Sequence, residues 1–350
     1  MSYTNIDKPS KYFNTKLYTG TGSTQSITGV GFQPDWVWIK ERSASASAHN
    51  LSDAVRGAGK ALFSNTTDAE YDYGTGTGGN LRSFDSDGFS LGTATQTNDN
   101  GTTFVSWNWD ANGAGVSNTA GSITSTVSAN TTSGFSIVSY TGNLTNGATV
   151  GHGLGVAPAM MIVKRRNNAD SWVVYHRAMS SNGDFYLYLN TTDAKSNLYN
   201  QFYDTSPTSS VFYLSNSNTT NASGDTYIAY CFAEVKGFSK AFSYTGNGST
   251  DGTYVHLGFR PAMVIVKKSD GVKNWYIWDN KREPFNDGND AQLYPNLSNA
   301  EDSSNYVDFL SNGFKLKNTG AGNDSGGTYI GFAIAESPFV SSKGVPVCAR

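Results

Sequence analysis

Three stretches of the chain stay apolar at successive positions instead of alternating: Pro34-Asp-Trp-Val-Trp-Ile-Lys40, Pro158-Ala-Met-Met-Ile-Val-Lys164 and Pro261-Ala-Met-Val-Ile-Val-Lys267. Each opens on a proline and reaches a lysine six positions later. A strand that is apolar on both faces needs cover on both sides, so each reads as the central strand of its region. Around it the pattern changes. Phe135-Ser-Ile-Val-Ser-Tyr140 partly alternates and stops at a Thr-Gly turn. Trp172-Val-Val-Tyr175 and Trp275-Tyr-Ile-Trp278 read as the strand after the central one, with a weaker counterpart in Ala48-His-Asn-Leu-Ser-Asp53. Thr328-Tyr-Ile-Gly-Phe-Ala-Ile334 alternates cleanly and reads as a closing strand. No stretch sustains a 3.6-residue apolar period, so little helix is expected.

These patterns recur as internal copies. Tyr18-Thr-Gly20 returns as Tyr140-Thr-Gly142 and Tyr244-Thr-Gly246, and Pro34, Pro158 and Pro261 follow those tyrosines by 16, 18 and 17 residues. Leu62-Phe-Ser-Asn65-Thr-Thr-Asp-Ala69 matches Leu187-Tyr-Leu-Asn190-Thr-Thr-Asp-Ala194 and Leu293-Tyr-Pro-Asn296-Leu-Ser-Asn-Ala300, a block that can start one helical turn. Asp87-Gly-Phe-Ser-Leu91 and Asn312-Gly-Phe-Lys-Leu316 carry a hairpin signal, loosely echoed in Ser210-Val-Phe-Tyr-Leu214. Thr103-Phe-Val-Ser-Trp-Asn-Trp109 and Thr226-Tyr-Ile-Ala-Tyr-Cys-Phe232 match the closing strand of the third copy. The same blocks in the same order, three times over, fix the organisation before any fold is assigned. The expected division is an N-terminal arm (1–10), a first copy (11–112), a Gly/Ser/Thr-rich linker (113–133) where Ile123 and Val127 can pin a short strand, a second copy (134–237), a third copy (238–339) and a C-terminal tail (340–350). Short strands punctuated by turns make the chain all-β, and each copy of about 100 residues suits one antiparallel β-sandwich, jelly-roll or lectin-like in style. The copies are expected to pack on one another, because a unit of that size buries only a modest core alone.

Composition narrows the function classes. Aromatic residues are 13% and charged residues 15% of the chain, with a formal net charge of -3. No basic face marks a nucleic-acid binder, and Lys164-Arg165-Arg166 and Lys267-Lys268 read as solvated strand ends. No apolar run is long enough to span a bilayer, and the opening residues hold no signal-peptide core. A product made in the cytoplasm is therefore expected, with Cys231 and Cys348 as free thiols. On the same ground the Asn-X-Ser/Thr triplets imply no glycan.

Chemistry is thin. His49, His152, His176 and His256 have no zinc-motif spacing, and His152 and His256 read as loop residues bonded to backbone. Gly57-Ala-Gly-Lys60 and the run Gly74–Gly79 lack the setting of a phosphate loop. Asp99, Asp287 and Asp290 lie in turns of calcium-like composition without the EF-hand spacing. Asp53 with Arg56 recurs as Asp279 with Arg282 while the second copy has His176 and Met179, which reads as a structural salt bridge. No catalytic set, metal or cofactor is expected. The aromatic residues are the candidate binding groups: Trp107, Trp109, Trp172, Trp275 and Trp278, near Asn and Asp, can cover the apolar face of a sugar or a protein partner, or else fill cores.

Gly121-Ser-Ile-Thr-Ser-Thr-Val127, Gly151-His-Gly-Leu-Gly-Val-Ala-Pro158, Phe84-Asp-Ser-Asp-Gly-Phe-Ser-Leu91 and Lys8-Pro-Ser-Lys-Tyr-Phe13, together with the repeat blocks, resemble a repeat family of tailed bacteriophages, especially of marine bacteria. The resemblance implies a virion structural protein of the tail, fibre or capsid surface and brings no catalytic residues with it. The expectation is a non-enzymatic component of the virion exterior. It would associate with other virion proteins, form a homo-oligomer, and engage neither nucleic acid nor membrane. The alternatives are a receptor-binding module for host surface polysaccharide and, with least support, a polysaccharide depolymerase.

Overall fold

The computed structural model describes residues 4–338 apart from 44–46, 199 and 283. The C-terminal tail, Cys348 and the last residue of the third copy lie outside the described residues. The fold is all-β and antiparallel, with 43% of residues in strands and 3% in helices. Among the described residues no helix is long and apolar enough to cross a membrane.

Three large sheets share one strand order. In each, an opening strand pairs with the closing strand, the closing strand with the central strand, and the central strand with the one after it. The opening strands are Phe13–Thr19, Phe135–Thr141 and Ser239–Thr245; the closing strands are Thr103–Trp109, Thr226–Phe232 and Thr328–Pro338. The central strands are Trp36–Glu41, Met160–Arg165 and Phe259–Lys268; the strands after them are Asn50–Asp53, Val173–His176 and Trp275–Asp279. The register is also common: Trp36 lies opposite Trp109, Met160 opposite Phe232, and Met263 opposite Ile334. Every residue of Trp36–Glu41 is buried, as a strand covered on both faces requires.

One face of each large sheet turns inward, where the three meet. Trp36, Trp38 and Trp109 face Met160, Ile162 and Phe232 and also Met263, Ile265 and Ile334 around a void of only about 20 Å³. The other faces meet smaller sheets. Gln25–Thr28, Gly88–Leu91 and Leu81–Asp85 form one, and Tyr254–His256, Gly313–Leu316 and Val307–Leu310 another. Among the described residues the second copy has only Ala148–Gly151 paired with Val211–Leu214.

The repeated sequence blocks now have physical causes. Tyr18, Tyr140 and Tyr244 stack on Phe104, Tyr227 and Tyr329, each at 5.1 Å between ring centroids. Their hydroxyls donate to the backbone carbonyls of Thr97, Thr220 and Gly322 at 2.7–2.8 Å. The glycine two residues on is obligatory, because a Cβ at Gly20, Gly142 or Gly246 would come within 2.1, 2.4 or 2.3 Å of a backbone oxygen. Asn65, Asn190 and Asn296 accept from the backbone N–H of His49, Trp172 and Trp275, each at 2.9 Å, and so pin the strand after the central one. That block forms turns and extended chain, not the expected helical turn. Its side-chain amide competes with helical hydrogen bonding and wins. Among the described residues the α-helices are single turns at Thr95–Asn98 and Asn218–Asn221, with a 3-10 turn at Pro9–Lys11.

Two further expectations change. Residues 113–133 do not merely link: Val116–Asn118 and Ser125–Asn130 pair into the sheet of the second copy through Phe135–Thr141. Ile123 bridges Val150. Lys164 and Lys267, with Lys40, are not solvated strand ends but fully buried. Each ammonium caps the carbonyl of the next residue at 2.7 Å, and burial lowers each lysine's pKa to about 8.

Candidate functional site

The five tryptophans expected at a binding surface are all interior, at 0–3% exposure. This corrects the expectation of glycan or partner contact: a ring without accessible area cannot stack on a ligand. Their apolar area is worth more in the core, and four of the five buried indole N–H groups find an acceptor, whereas Trp109 Nε1 is buried with no hydrogen-bond partner among the described residues. Trp107 donates to Asp279 at 3.0 Å, Trp172 to the carbonyl of Phe63 at 2.8 Å, Trp275 to the carbonyl of Tyr188 at 2.9 Å and Trp278 to Gln292 at 3.1 Å. Trp109 packs on Trp36 with centroids 4.2 Å apart.

Three of those bonds cross between copies, and they belong to three seams that close a ring. The ring nitrogen at one repeated position always donates to the neighbour: Trp172 to the first copy, Trp275 to the second, and His49 to the third through Tyr294 O at 2.9 Å. Trp38 donates to the other His49 nitrogen at 2.8 Å, which fixes the neutral tautomer. The backbone repeats the cycle, with Glu70 N–H to Arg166 O at 2.7 Å, Lys195 N–H to Ser269 O at 2.8 Å and Glu301 N–H to Arg42 O at 2.9 Å.

Two of the seams share an ionic network. Arg56 pairs with Asp53 at 2.5 Å and Glu70 at 3.2 Å, Glu70 pairs with Arg166 at 2.9 Å, and Tyr230 donates to Asp53 at 2.8 Å. Arg282 pairs with Asp279 at 2.6 Å and Glu301 at 3.1 Å, Glu301 pairs with Arg42 at 2.7 Å, and Trp107 takes the place of Tyr230. The salt bridge read from Asp53/Arg56 and Asp279/Arg282 is therefore real and part of a larger set. Burial works against the Arg56 charge, but Asp53, Tyr230 and Glu70 outweigh it and raise its pKa. Burial also pushes the Glu70 carboxyl up, yet Arg166 and Arg56 hold it below the usual carboxylate range. The third seam abandons the network. Phe332 offers no polar atom there, and His176 donates instead to Gly331 O at 3.0 Å. Burial depresses the His176 pKa to about 4.

The remaining sequence candidates are spent on hydrogen bonds within the fold. Asp287 accepts from Asn289 N–H and Asp99 from the Thr102 hydroxyl, which is turn chemistry, whereas Asp290 starts the strand Asp290–Gln292 and accepts from the distant Tyr306 and Val307 N–H. Among the described residues no three His, Cys, Asp or Glu side chains gather as a metal site would need. His152 does bond backbone, accepting from Leu154 N–H and meeting Thr208 O. His256 ends the strand Tyr254–His256, and its ring meets the Tyr254 hydroxyl at 3.2 Å, not backbone. Cys231 is buried and free, and burial pushes its thiol up to about 12. The strongest acid candidate is Asp110, pushed up to about 6 by burial and by the neighbouring Asp35 charge. Asp35 accepts from Ala111 and Gly113 N–H and Asp110 from Asn130, so both serve the chain around residue 112.

An open groove of about 600 Å³ lies on the second copy, lined by Leu144, Tyr188, Leu198 and the polar stretches 200–201 and 216–219. None of the described lining residues is charged. It accompanies an absence of strands: none of the described residues between Leu187–Tyr188 and Val211–Leu214 forms one. The first copy places Tyr71–Asp72 and Leu81–Asp85 in that connection, and the third places Asp302–Ser304 and Val307–Leu310. Sequence reading passed over the groove because its residues are common loop residues. A signal was available in the looser match at Ser210–Leu214.

A family model described as a domain of unknown function, DUF7483, matches residues 8–338, and the chain belongs to that family. No curated protein and no solved structure matches it.

Proposed function

We propose that this chain is a non-enzymatic structural protein of the exterior of a tailed-phage virion, a capsid decoration or a tail component. In this reading it is built as three related β-sandwich units over 11–112, 134–237 and 238–339. One cluster supports the sandwich reading: Ile27, Leu81, Phe89 and Leu91 of a small sheet pack with Val37, Ile39 and Phe104 of a large one. The observation that carries the function is the closed ring of seams. The charged side chains most able to do chemistry (Asp53, Arg56, Glu70, Asp279, Arg282 and Glu301) are consumed in joining copies. A rigid body with three similar sides suits a threefold or quasi-threefold place among other virion proteins, whose copies are set by particle symmetry. The test is mass spectrometry and cryo-electron microscopy of purified parent particles. The chain should be present at a fixed stoichiometry on the outer surface, and its absence from washed particles would end this reading.

The groove on the second copy favours a second reading, a receptor-binding module for host surface polysaccharide on a tail or fibre. Added free protein should then slow adsorption of the parent phage. Unchanged adsorption kinetics would count against it.

A further inference from the structure

We propose that the groove of the second copy binds a neutral oligosaccharide, with Leu144 as a dedicated ligand contact. The proposal rests on the receptor-binding reading and supplies its site. The starting point is one position compared across the copies. Gly22 and Gly248 occupy it in the first and third copies at φ 65° and 64°, each donating its N–H to the buried Asn98 or Asn323 carbonyl at 2.9 Å. The second copy keeps the same turn and the same bond, Leu144 N–H to Asn221 O at 2.7 Å, but puts leucine there at φ 57°. A left-handed backbone is costly for a branched side chain and nearly free for glycine. The strain is not repaid by burial, because Leu144 is 42% exposed, and its side chain lines the groove. Strained residues that folding does not require concentrate at functional sites.

The other non-glycine residues with left-handed backbone among those described are Tyr203 and Asp204, at φ 56° and 44°, in the irregular connection beside the same groove. Tyr203 is 40% exposed and Leu198 is 75% exposed. Backbone strain and exposed apolar area thus fall on one feature of one copy.

The lining chemistry selects the ligand class. Without a charged residue the groove offers nothing to a phosphate, a sulfate or a uronate. Asn216 and Asn218 are exposed, and each amide both donates and accepts, as does the Thr219 hydroxyl. Sugar hydroxyls have the same dual character, and vicinal pairs of them match an amide edge. Leu144, Leu198 and Tyr188 give the apolar surface on which the C–H face of a pyranose can rest. The volume lies within the range of ordinary ligand sites.

The experiment uses the full chain against neutral gluco-, manno- and galacto-oligosaccharides of three to five units, with uronate-containing and sulfated oligomers alongside, read by titration calorimetry and ligand-observed NMR. The variants are Leu144→Gly, Asn216→Ala and Asn218→Ala, with thermal unfolding measured for each. A neutral oligomer should bind. Each amide variant should weaken it about tenfold, the loss of one good hydrogen bond. Leu144→Gly should weaken binding while raising the unfolding temperature, a pair of opposed effects that a merely structural leucine would not give. Binding that none of the variants alters would overturn the groove site and leave the receptor-binding reading standing elsewhere on the molecule. Binding of acidic oligomers alone overturns the ligand class. No binding of any oligomer overturns both the site and the reading beneath it.

Discussion

At the centre of the molecule the first copy supplies Trp36, Trp38 and Trp109 where the second supplies Met160, Ile162 and Phe232 and the third Met263, Ile265 and Ile334, and only about 20 Å³ is left unfilled. On the outer side of the second copy, loss of the strands that the other copies carry leaves about 600 Å³ open and leucine in place of glycine. Both are places where the copies have diverged. The central differences compensate one another, as close packing demands of any interior. The outer ones do not, and they carry strain and exposed apolar area. The contrast teaches how to separate divergence that preserves a fold from divergence that a fold merely tolerates.

The comparison can be broken most severely at the centre. Trp36 stacks on Tyr230 of the second copy at 4.3 Å and lies 5.6 Å from Phe135. Trp36→Ala empties a site that no neighbour can collapse into, and should cost about 3–5 kcal/mol. Urea unfolding with a single transition of unchanged slope would measure it; a loss under 1 kcal/mol would mean that the sheets do not depend on their common core.

The seams respond to pH. His49, His152 and His176 are held neutral, their pKa values depressed chiefly by burial. The unfolded chain takes up protons near pH 6.5 and the folded chain only lower, so stability should fall as pH drops from about 6.5 toward 4. For His176 alone, depressed to about 4, the full effect is on the order of 3 kcal/mol. Asp110, pushed up to about 6, opposes this over part of the range, because a raised carboxyl favours the folded state at low pH. His176→Gln keeps a donor toward Gly331 and removes one titration. Its stability should decline less steeply between pH 6 and 4.5, and a slope equal to that of the unaltered protein would remove His176 from the account.

The smallest effect belongs to the groove. Leu144→Gly should stabilise the fold by about 1 kcal/mol, opposite in sign to any core change, because it relieves a left-handed leucine. Chemical denaturation measures this, and destabilisation would show that Leu144 packs as a structural residue.

Much of the fold was legible in the chain because the repeat blocks are backbone constraints. The stacked tyrosine, the glycine with no room for Cβ and the pinning asparagine recur at fixed spacing because they act within one copy. One such signal was overlooked: Asn98, Asn221 and Asn323 each lie five residues before the closing strand's first threonine, fully buried, donating to two loop carbonyls or more. The seams were harder to read. Trp172, Trp275 and His49 do one job across three interfaces, yet nothing along the chain pairs His49 with Tyr294. Buried Lys164 and Lys267 read as surface residues because their burial depends on carbonyls brought together only by folding. The groove was invisible for the opposite reason: it lies where the repeat pattern fails, and a failed match does not show whether a strand is replaced by filler or by a site.

The central claim is that the three copies form one cooperative body, and native-state hydrogen exchange tests it most directly. The amides of Glu70, Lys195 and Glu301 each cross one seam. All three should exchange only through global unfolding, with one common free energy and one common dependence on denaturant. Release of the Lys195 amide at a clearly lower free energy, at the seam without the ionic network, would contradict the claim and make the molecule a chain of separable units.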